Sequence, residues 1–111
     1  MPLLIHKDRL ADKAFTGTIR QMAVDTGAEA LERQHAAIMG RPDNRPLLAS
    51  IRCPTLVIVG REDALTPPEL AQEIASGIAG ATLEIVADCG HLSTMERPAA
   101  VNRALRAWLT G

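Results

Sequence analysis

The sequence predicts an α/β fold in which two parallel strands are flanked by helices, and three observations lead to that prediction. Residues 55–60 form an apolar, β-branched run without alternation, which is typical of a strand buried on both faces. Residues 82–87 form a second short strand. Apolar residues at helical spacing lie between the two runs and again after the second. A strand–helix–strand unit of this length predicts a right-handed parallel crossover.

The residues before Pro46 have a helical pattern and no evident strand. A first amphipathic stretch is marked by Leu10, Ala14, Met22 and Ala23. A second helix is better defined, because Thr26 and Glu29 have the spacing of a capping box and Gly40 is a typical terminator. One face of this helix consists of Leu31, His35, Ile38 and Met39. We favour a core position for His35 over a position in a substrate pocket.

The residues after Pro46 predict the order strand, helix, strand, helix. Thr66 is predicted to cap the helix after the first strand, with Pro67 at its first position. The predicted buried face of this helix is Leu70, Ile74 and Ile78. The last helix is predicted to start near Pro98 and to run almost to the end of the sequence. Its predicted buried face is Val101, Leu105, Trp108 and Leu109.

The chain therefore divides into a helical segment, residues 1–46, and a strand–helix–strand–helix unit, residues 47–111. Residues 41–46 contain two prolines and an Asp-Asn pair, which favour a turn-forming linker. Two parallel strands leave sheet edges unpaired, and parallel sheets are usually covered on both faces. We expect this unit to be part of a larger sheet, completed by self-association into a homo-oligomer or by a complementing N-terminal part.

Composition excludes several classes of function. A net charge of −1 gives no electrostatic reason to expect a nucleic acid or an acidic membrane as partner. No apolar run has transmembrane length, and the first residues lack the features of a signal peptide, so we expect a cytoplasmic location. Cys53 and Cys89 lie at opposite ends of the two strands, so we expect reduced thiols. The few His and Cys residues have no metal-ligand spacing, and we expect neither a metal nor a cofactor.

Two polar residues of complementary chemistry follow the two strands. Asp63 comes shortly after the first strand, and Gly90-His91 follows the second. The segments Gly60-Arg61-Glu62-Asp63, Thr66-Pro67-Pro68 and Gly90-His91, in this order and strand context, resemble the C-terminal portion of α/β-hydrolase-fold enzymes. The resemblance covers residues 47–111, and residues 1–46 look like the end of the family's cap. It implies a partial α/β-hydrolase fold with a helical cap segment before the two strands.

The resemblance also implies catalytic roles. Asp63 would accept a hydrogen bond from one ring nitrogen of His91, and the other nitrogen would take the proton of a nucleophile. The substrate would be a small ester, lactone or related carboxylic derivative. Substrate identity and the type of nucleophile, which is serine, aspartate or cysteine among enzymes with this fold, stay open.

The sequence departs from the family pattern at the nucleophile. No Gly-x-Ser-x-Gly occurs, and neither Ser50, Ser76 nor Ser93 has glycine neighbours at that spacing. In this fold the nucleophile precedes the acid and the histidine in the chain. We therefore expect this polypeptide alone to hold a hydrogen-bonded Asp–His pair and to be inactive.

An alternative hypothesis is a non-catalytic binding or assembly module. In that case the apolar strand at residues 55–60 would pair with its symmetry mate across a two-fold axis.

Overall fold

Five helices and two strands make up the structure, a computed structural model that describes residues 1–111. The elements in chain order are α1 (Lys13–Thr26), α2 (Ala28–Gly40), β1 (Leu56–Gly60), α3 (Pro68–Gly77), β2 (Thr82–Val86), α4 (Ser93–Glu96) and α5 (Pro98–Thr110). Short 3-10 turns cover Lys7–Arg9 and Arg45–Ser50. None of the helices combines the length and the apolar character that a bilayer-spanning helix needs.

The two strands pair in parallel, as the sequence predicts. Leu56 lies opposite Thr82, and Gly60 lies opposite Val86. Both strands therefore end at the same edge of the sheet, and the residues that follow them are brought together there. The sheet has only these two strands, so each keeps one unpaired edge. The predicted fold class, α/β with two parallel strands and flanking helices, is confirmed.

The junction between α1 and α2 differs from the prediction. Thr26 is the last residue of α1, and its hydroxyl donates a 2.8 Å hydrogen bond to the Met22 carbonyl. Gly27, with φ at +84°, makes the turn, and α2 begins one residue later without a side-chain cap. The predicted capping box at Thr26 is therefore wrong, because a glycine in the left-handed region takes over the break. His35 is exposed, so its predicted core position is also wrong.

The helices around the sheet bury less than their periodicity predicts. The predicted N-cap of α3 is wrong, since Pro67 occupies that position and no side chain caps the helix. Ile78 is buried, whereas Leu70 and Ile74 are exposed. On α5 Val101 is buried, but the other residues of the predicted face, Leu105, Trp108 and Leu109, are exposed. A two-stranded sheet is too narrow to cover the full apolar stripe of either helix.

The core lies near the carboxyl ends of the strands rather than at the sheet centre. Its most buried apolar residues include Val59, Val86 and Cys89. Ile5 and His6 join them, because the first residues of the chain fold back against the loop after β2. In that contact the backbone N–H of His91 donates to the Leu4 carbonyl at 2.8 Å. The predicted helical pattern of residues 1–46 did not include this contact, which is made by a turn at the start of the chain.

Candidate active site

The loop after β1 is held against the loop after β2 by backbone hydrogen bonds. The N–H of Arg61 donates to the Val86 carbonyl at 2.8 Å, and the N–H of Glu62 donates to the Cys89 carbonyl at 2.9 Å. Gly60 permits this close approach, because a Cβ there would lie only 2.5 Å from the carbonyl oxygen of Cys89. Asp63 is thus placed beside the residues that follow β2.

Asp63 and His91 meet at this edge of the sheet. The Nδ1 atom of His91 lies 3.0 Å from Oδ2 of Asp63. Asp63 is 6% exposed, whereas the side chain of His91 is 37% exposed. Nε2 has no hydrogen-bond partner within the chain. The acid is therefore buried and fixed, while the imidazole reaches the surface with one nitrogen unengaged.

Three further donors complete the environment of the Asp63 carboxylate. Oδ1 accepts the backbone N–H groups of Leu65 at 3.1 Å and Thr66 at 3.0 Å. Oδ2 accepts the Thr66 hydroxyl at 2.9 Å, and that hydroxyl also lies 3.3 Å from Nδ1 of His91. Thr66 is therefore a site residue that the sequence analysis missed. Its side chain serves the carboxylate instead of capping α3.

The carboxylate determines which ring nitrogen of His91 carries the proton. Burial acts to raise the pKa of Asp63, but hydrogen bonds from the Thr66 backbone, from His91 and from the Thr66 hydroxyl outweigh it. The pKa of this carboxyl is therefore lowered from its ordinary value, and the group is ionised at neutral pH. An ionised carboxylate can only accept hydrogen bonds, so Nδ1 must be the protonated nitrogen of the neutral ring. Nε2 is then free to accept a proton.

The loop that carries His91 is in contact with the first residues of the chain on one side and with Glu96 of α4 on the other. A Cβ at Gly90 would lie 2.8 Å from backbone atoms of Ile5 and His6, so only glycine fits there. The carboxylate of Glu96, which is fully buried, accepts the backbone N–H groups of Gly90 at 3.0 Å and Leu92 at 3.1 Å. Glu96 is a second residue of the site to which the sequence analysis assigned no role.

No serine hydroxyl forms a hydrogen bond with His91. Ser50 donates instead to the Leu47 carbonyl at 2.6 Å, Ser76 lies within α3, and Ser93 begins α4. Thr66 is the only residue whose hydroxyl lies within hydrogen-bond distance of the imidazole, and it faces Nδ1, the nitrogen already shared with Asp63. The pair thus has the arrangement of an acid–base device, and no serine hydroxyl is hydrogen-bonded to it.

One group of side chains has ligand atoms close enough for a metal ion. His6, Glu62 and Asp88 each offer an atom within 4.8 Å of the others. Nδ1 of His6 already accepts the N–H of Asp8 at 3.1 Å, and both carboxylates of the group are exposed. We therefore assign no metal role to it.

The two cysteines are free thiols, as predicted, with Cys53 exposed and Cys89 buried. Burial, followed by the nearby charge of Glu96, raises the pKa of Cys89 to about 11. A thiol with so high a pKa is neither a good nucleophile nor a good ligand.

A cleft of about 700 Å³ lies next to the pair, between the C-terminal part of α2 and α3. It is lined by Ile38, Arg41, Pro42, Asp43, Asn44, Arg45, Leu48, Thr66, Leu70, Glu73 and Ile74. Arg45 binds Asp43 at 2.6 Å and Glu73 at 3.1 Å, and its hydrogen bonds lower the pKa of Asp43 to about 2. The guanidinium is thus already paired, and such exposed pairs contribute little to stability.

Comparison with known proteins agrees with this geometry. The family model described as "Alpha/beta hydrolase family" matches residues 2–104. A thermophilic esterase from Thermogutta terrifontis is 34% identical over 98% of this chain and 40% of its own, with a TM-score of 0.91. The enol-lactonase from Burkholderia xenovorans LB400 is 31% identical over 99% of this chain and 42% of its own, with a TM-score of 0.89.

A curated relative from Escherichia coli, a 2-hydroxy-6-oxononadienedioate/2-hydroxy-6-oxononatrienedioate hydrolase, is 40% identical over 68 residues. The match covers 61% of this chain and 24% of the relative. The chain thus spans about a quarter of the length of this relative and about two fifths of the two solved structures.

Proposed function

The chain belongs to the α/β hydrolase family, and from that premise we propose that it supplies the acid and the histidine of a hydrolase that cleaves a carboxylic ester or lactone. The observation that carries the proposal is the 3.0 Å contact between Asp63 and Nδ1 of His91 at the shared end of two parallel strands. The similarity to an esterase and to an enol-lactonase supports the substrate class.

In the proposed reaction His91 transfers one proton in each of two steps. A hydroxyl or thiol nucleophile adds to the substrate carbonyl while its proton passes to Nε2. The imidazolium so formed is stabilised by Asp63 through Nδ1, and it then protonates the departing alcohol. Water, activated by the same nitrogen, releases the acid and restores the nucleophile. An ester and one water molecule thereby give one acid and one alcohol.

The nucleophile in this proposal comes from residues outside these 111. The sequence has no Gly-x-Ser-x-Gly elbow, and no serine hydroxyl contacts the imidazole. Triad residues act as a unit, so an isolated Asp–His pair leaves almost no catalysis. We propose that the chain alone is inactive and that it acts in the cytoplasm, where its two free thiols would stay reduced.

The test begins with the reading frame upstream of the Met1 codon, where the proposal expects an elbow sequence. A longer protein that contains this elbow should hydrolyse a short-chain ester or lactone. His91→Ala should lower its kcat at least about 10⁴-fold, since the proton acceptor is lost. His35→Ala, which removes an exposed histidine of α2, is the matched control and should leave kcat unchanged.

Two results would contradict the proposal. Unrelated upstream sequence with its own stop codon would remove the source of the nucleophile. Ester hydrolysis by the 111-residue chain, abolished by His91→Ala, would mean that a nucleophile within the chain has been overlooked.

The second candidate is a non-catalytic module that self-associates through β1. The unpaired edge of β1 and the exposed apolar side chains of α3 and α5 favour it. Two copies would pair their β1 strands antiparallel across a two-fold axis. Light scattering coupled to size-exclusion chromatography should then give twice the 11.9 kDa mass of the chain. A well-folded monomer at all concentrations would exclude this module.

A further inference from the structure

Glu96 is a fully buried acidic residue, and neither of the proposed activities uses it. It is the last residue of α4, and its carboxylate accepts three backbone N–H groups. Oε1 lies 2.8 Å from the nitrogen of His6 and 3.0 Å from that of Gly90, and Oε2 lies 3.1 Å from that of Leu92. The last two residues are the immediate neighbours of His91 on either side.

The carboxylate of Glu96 pairs with no cationic side chain. Arg9 comes close, but its guanidinium donates to the backbone carbonyl of Glu96 and not to the carboxylate. A buried carboxylate is costly unless its hydrogen bonds are complete, and an apolar side chain in its place would leave buried backbone N–H groups unsatisfied. What the carboxylate adds is geometry, since its two oxygens hold three donors in one arrangement.

The backbone of the His91 loop is thereby fixed on both sides. The N–H groups of Gly90 and Leu92 donate to Glu96, and that of His91 donates to the Leu4 carbonyl at 2.8 Å. The imidazole itself is 37% exposed. Its direction toward Asp63 therefore depends on the backbone from which it extends.

We propose that Glu96 is a positioning residue for His91, holding the backbone on both sides of the histidine so that Nδ1 meets Asp63 and Nε2 stays free. The proposal deepens the function proposed above, because it assigns the support for the proton-transferring group. Glu96 touches neither ring nitrogen and acts only through Gly90 and Leu92. The same carboxylate also binds the backbone N–H of His6, so it connects the first residues of the chain to the His91 loop.

The test uses NMR on the ¹⁵N-labelled 111-residue chain. In the wild type, His91 should be the Nδ1–H tautomer, and the amides of Gly90 and Leu92 should exchange slowly with solvent. Glu96→Ala leaves the N–H groups of His6 and Gly90 without their acceptor, whereas that of Leu92 keeps the Leu4 carbonyl at 3.3 Å. Protection of the Gly90 amide should then fall at least about tenfold, equivalent to about 1.4 kcal/mol, that of Leu92 should fall less, and the tautomers of His91 should become mixed.

Two variants separate positioning from general stability. Glu96→Gln keeps one acceptor oxygen, so it should give an intermediate loss of protection and an intermediate tautomer ratio. Val101→Ala opens a cavity in the buried core on α5, at a residue that takes no part in the hydrogen bonds of the His91 loop. It should lower the unfolding temperature and leave the His91 tautomer as in the wild type.

The proposal is overturned if a folded Glu96→Ala variant keeps the wild-type tautomer and amide protection. It is also overturned if Val101→Ala shifts the tautomer as much as Glu96→Ala does. If neither Glu96 variant folds, amide exchange in the wild type tests the proposal. Fast exchange at Gly90 and Leu92 would contradict the proposal, and slow exchange would support it. None of these readouts requires turnover. An inactive longer protein with an ordered His91 would thus count against the proposed function alone.

Discussion

Replacing Asp63 by asparagine tests the role of the carboxylate with almost no change in shape. The carboxylate accepts four hydrogen bonds, two from backbone N–H groups, one from the Thr66 hydroxyl and one from His91. The amide keeps one acceptor oxygen, which can continue to serve Leu65 and Thr66. Its NH2 group then faces the hydroxyl and the imidazole, and both of those can act as acceptors.

The expected loss of stability follows from these four bonds. A hydrogen bond to a charged group contributes about 1.5–3 kcal/mol and a neutral one about 0.5–1.5, so each backbone bond loses about 1 kcal/mol. The hydroxyl and imidazole bonds reverse direction and lose the charge as well, but a neutral amide costs less to bury than a carboxylate, which offsets that loss. Asp63→Asn should therefore lower the free energy of unfolding by about 2 kcal/mol near pH 7. His91 should also switch to the Nε2–H tautomer, the wrong one for proton transfer.

Urea unfolding at several pH values measures this effect. The folded-state pKa of Asp63 is lowered from 3.8, so its stabilising contribution is fully present above that value. It is lost as the pH falls through the lower folded-state pKa. The difference between wild type and Asp63→Asn should thus shrink as the pH falls further below 3.8. Asp12→Asn is the matched control, because Asp12 is exposed and an asparagine can still cap α1.

Two results would refute this reasoning. Equal stability of wild type and Asp63→Asn near neutral pH would mean that the charge of the carboxylate contributes nothing. A difference that stays constant however far the pH falls below 3.8 would mean that the variant acts through packing and not through ionisation.

Two further predictions concern the same part of the fold. Gly90→Ala should lower the free energy of unfolding by about 1–3 kcal/mol, because its Cβ would lie 2.8 Å from the backbone of Ile5. The matched control is Gly17→Ala, in an open position within α1, which should instead raise the free energy of unfolding by about 0.5–1 kcal/mol. Urea unfolding measures both variants. A destabilised Gly17→Ala or a neutral Gly90→Ala would contradict the close contact between Gly90 and Ile5. A thiol reagent near pH 8 should label the exposed Cys53 within minutes and Cys89 only after unfolding, since a pKa of about 11 leaves about one thiolate in a thousand. Equal labelling rates in the native state would show that the loop after β2 opens readily.

The sequence predicted the elements whose signals are local and repeated. The two strands, their parallel pairing and the start of α5 follow from apolar runs and a proline. Burial was predicted less well, because periodicity shows which face of a helix is apolar and not whether anything covers it. Leu109 on α5 has the right spacing and is 73% exposed.

The candidate site was predictable only in its two principal residues. Asp63 and His91 were recognisable from family-like motifs, but Thr66 has the same local signature whether it caps a helix or donates to a carboxylate. The choice depends on Asp63 being within reach, which is a property of the folded loop. The partners of Glu96 were unpredictable for a different reason, since one of them, His6, lies 90 positions away in the chain.

That separation has a consequence for how the protein folds. Contacts between distant parts of a chain form late, because the entropy cost of closing the loop must be met before the contact can stabilise anything. The strands and α3 can assemble from neighbouring segments, whereas the His91 loop must wait for the first residues to dock. We expect it to be ordered last on folding and released first on local unfolding. An intermediate with a complete sheet would then carry an imidazole that is not yet held against Asp63, so the pair would form only at the final folding step.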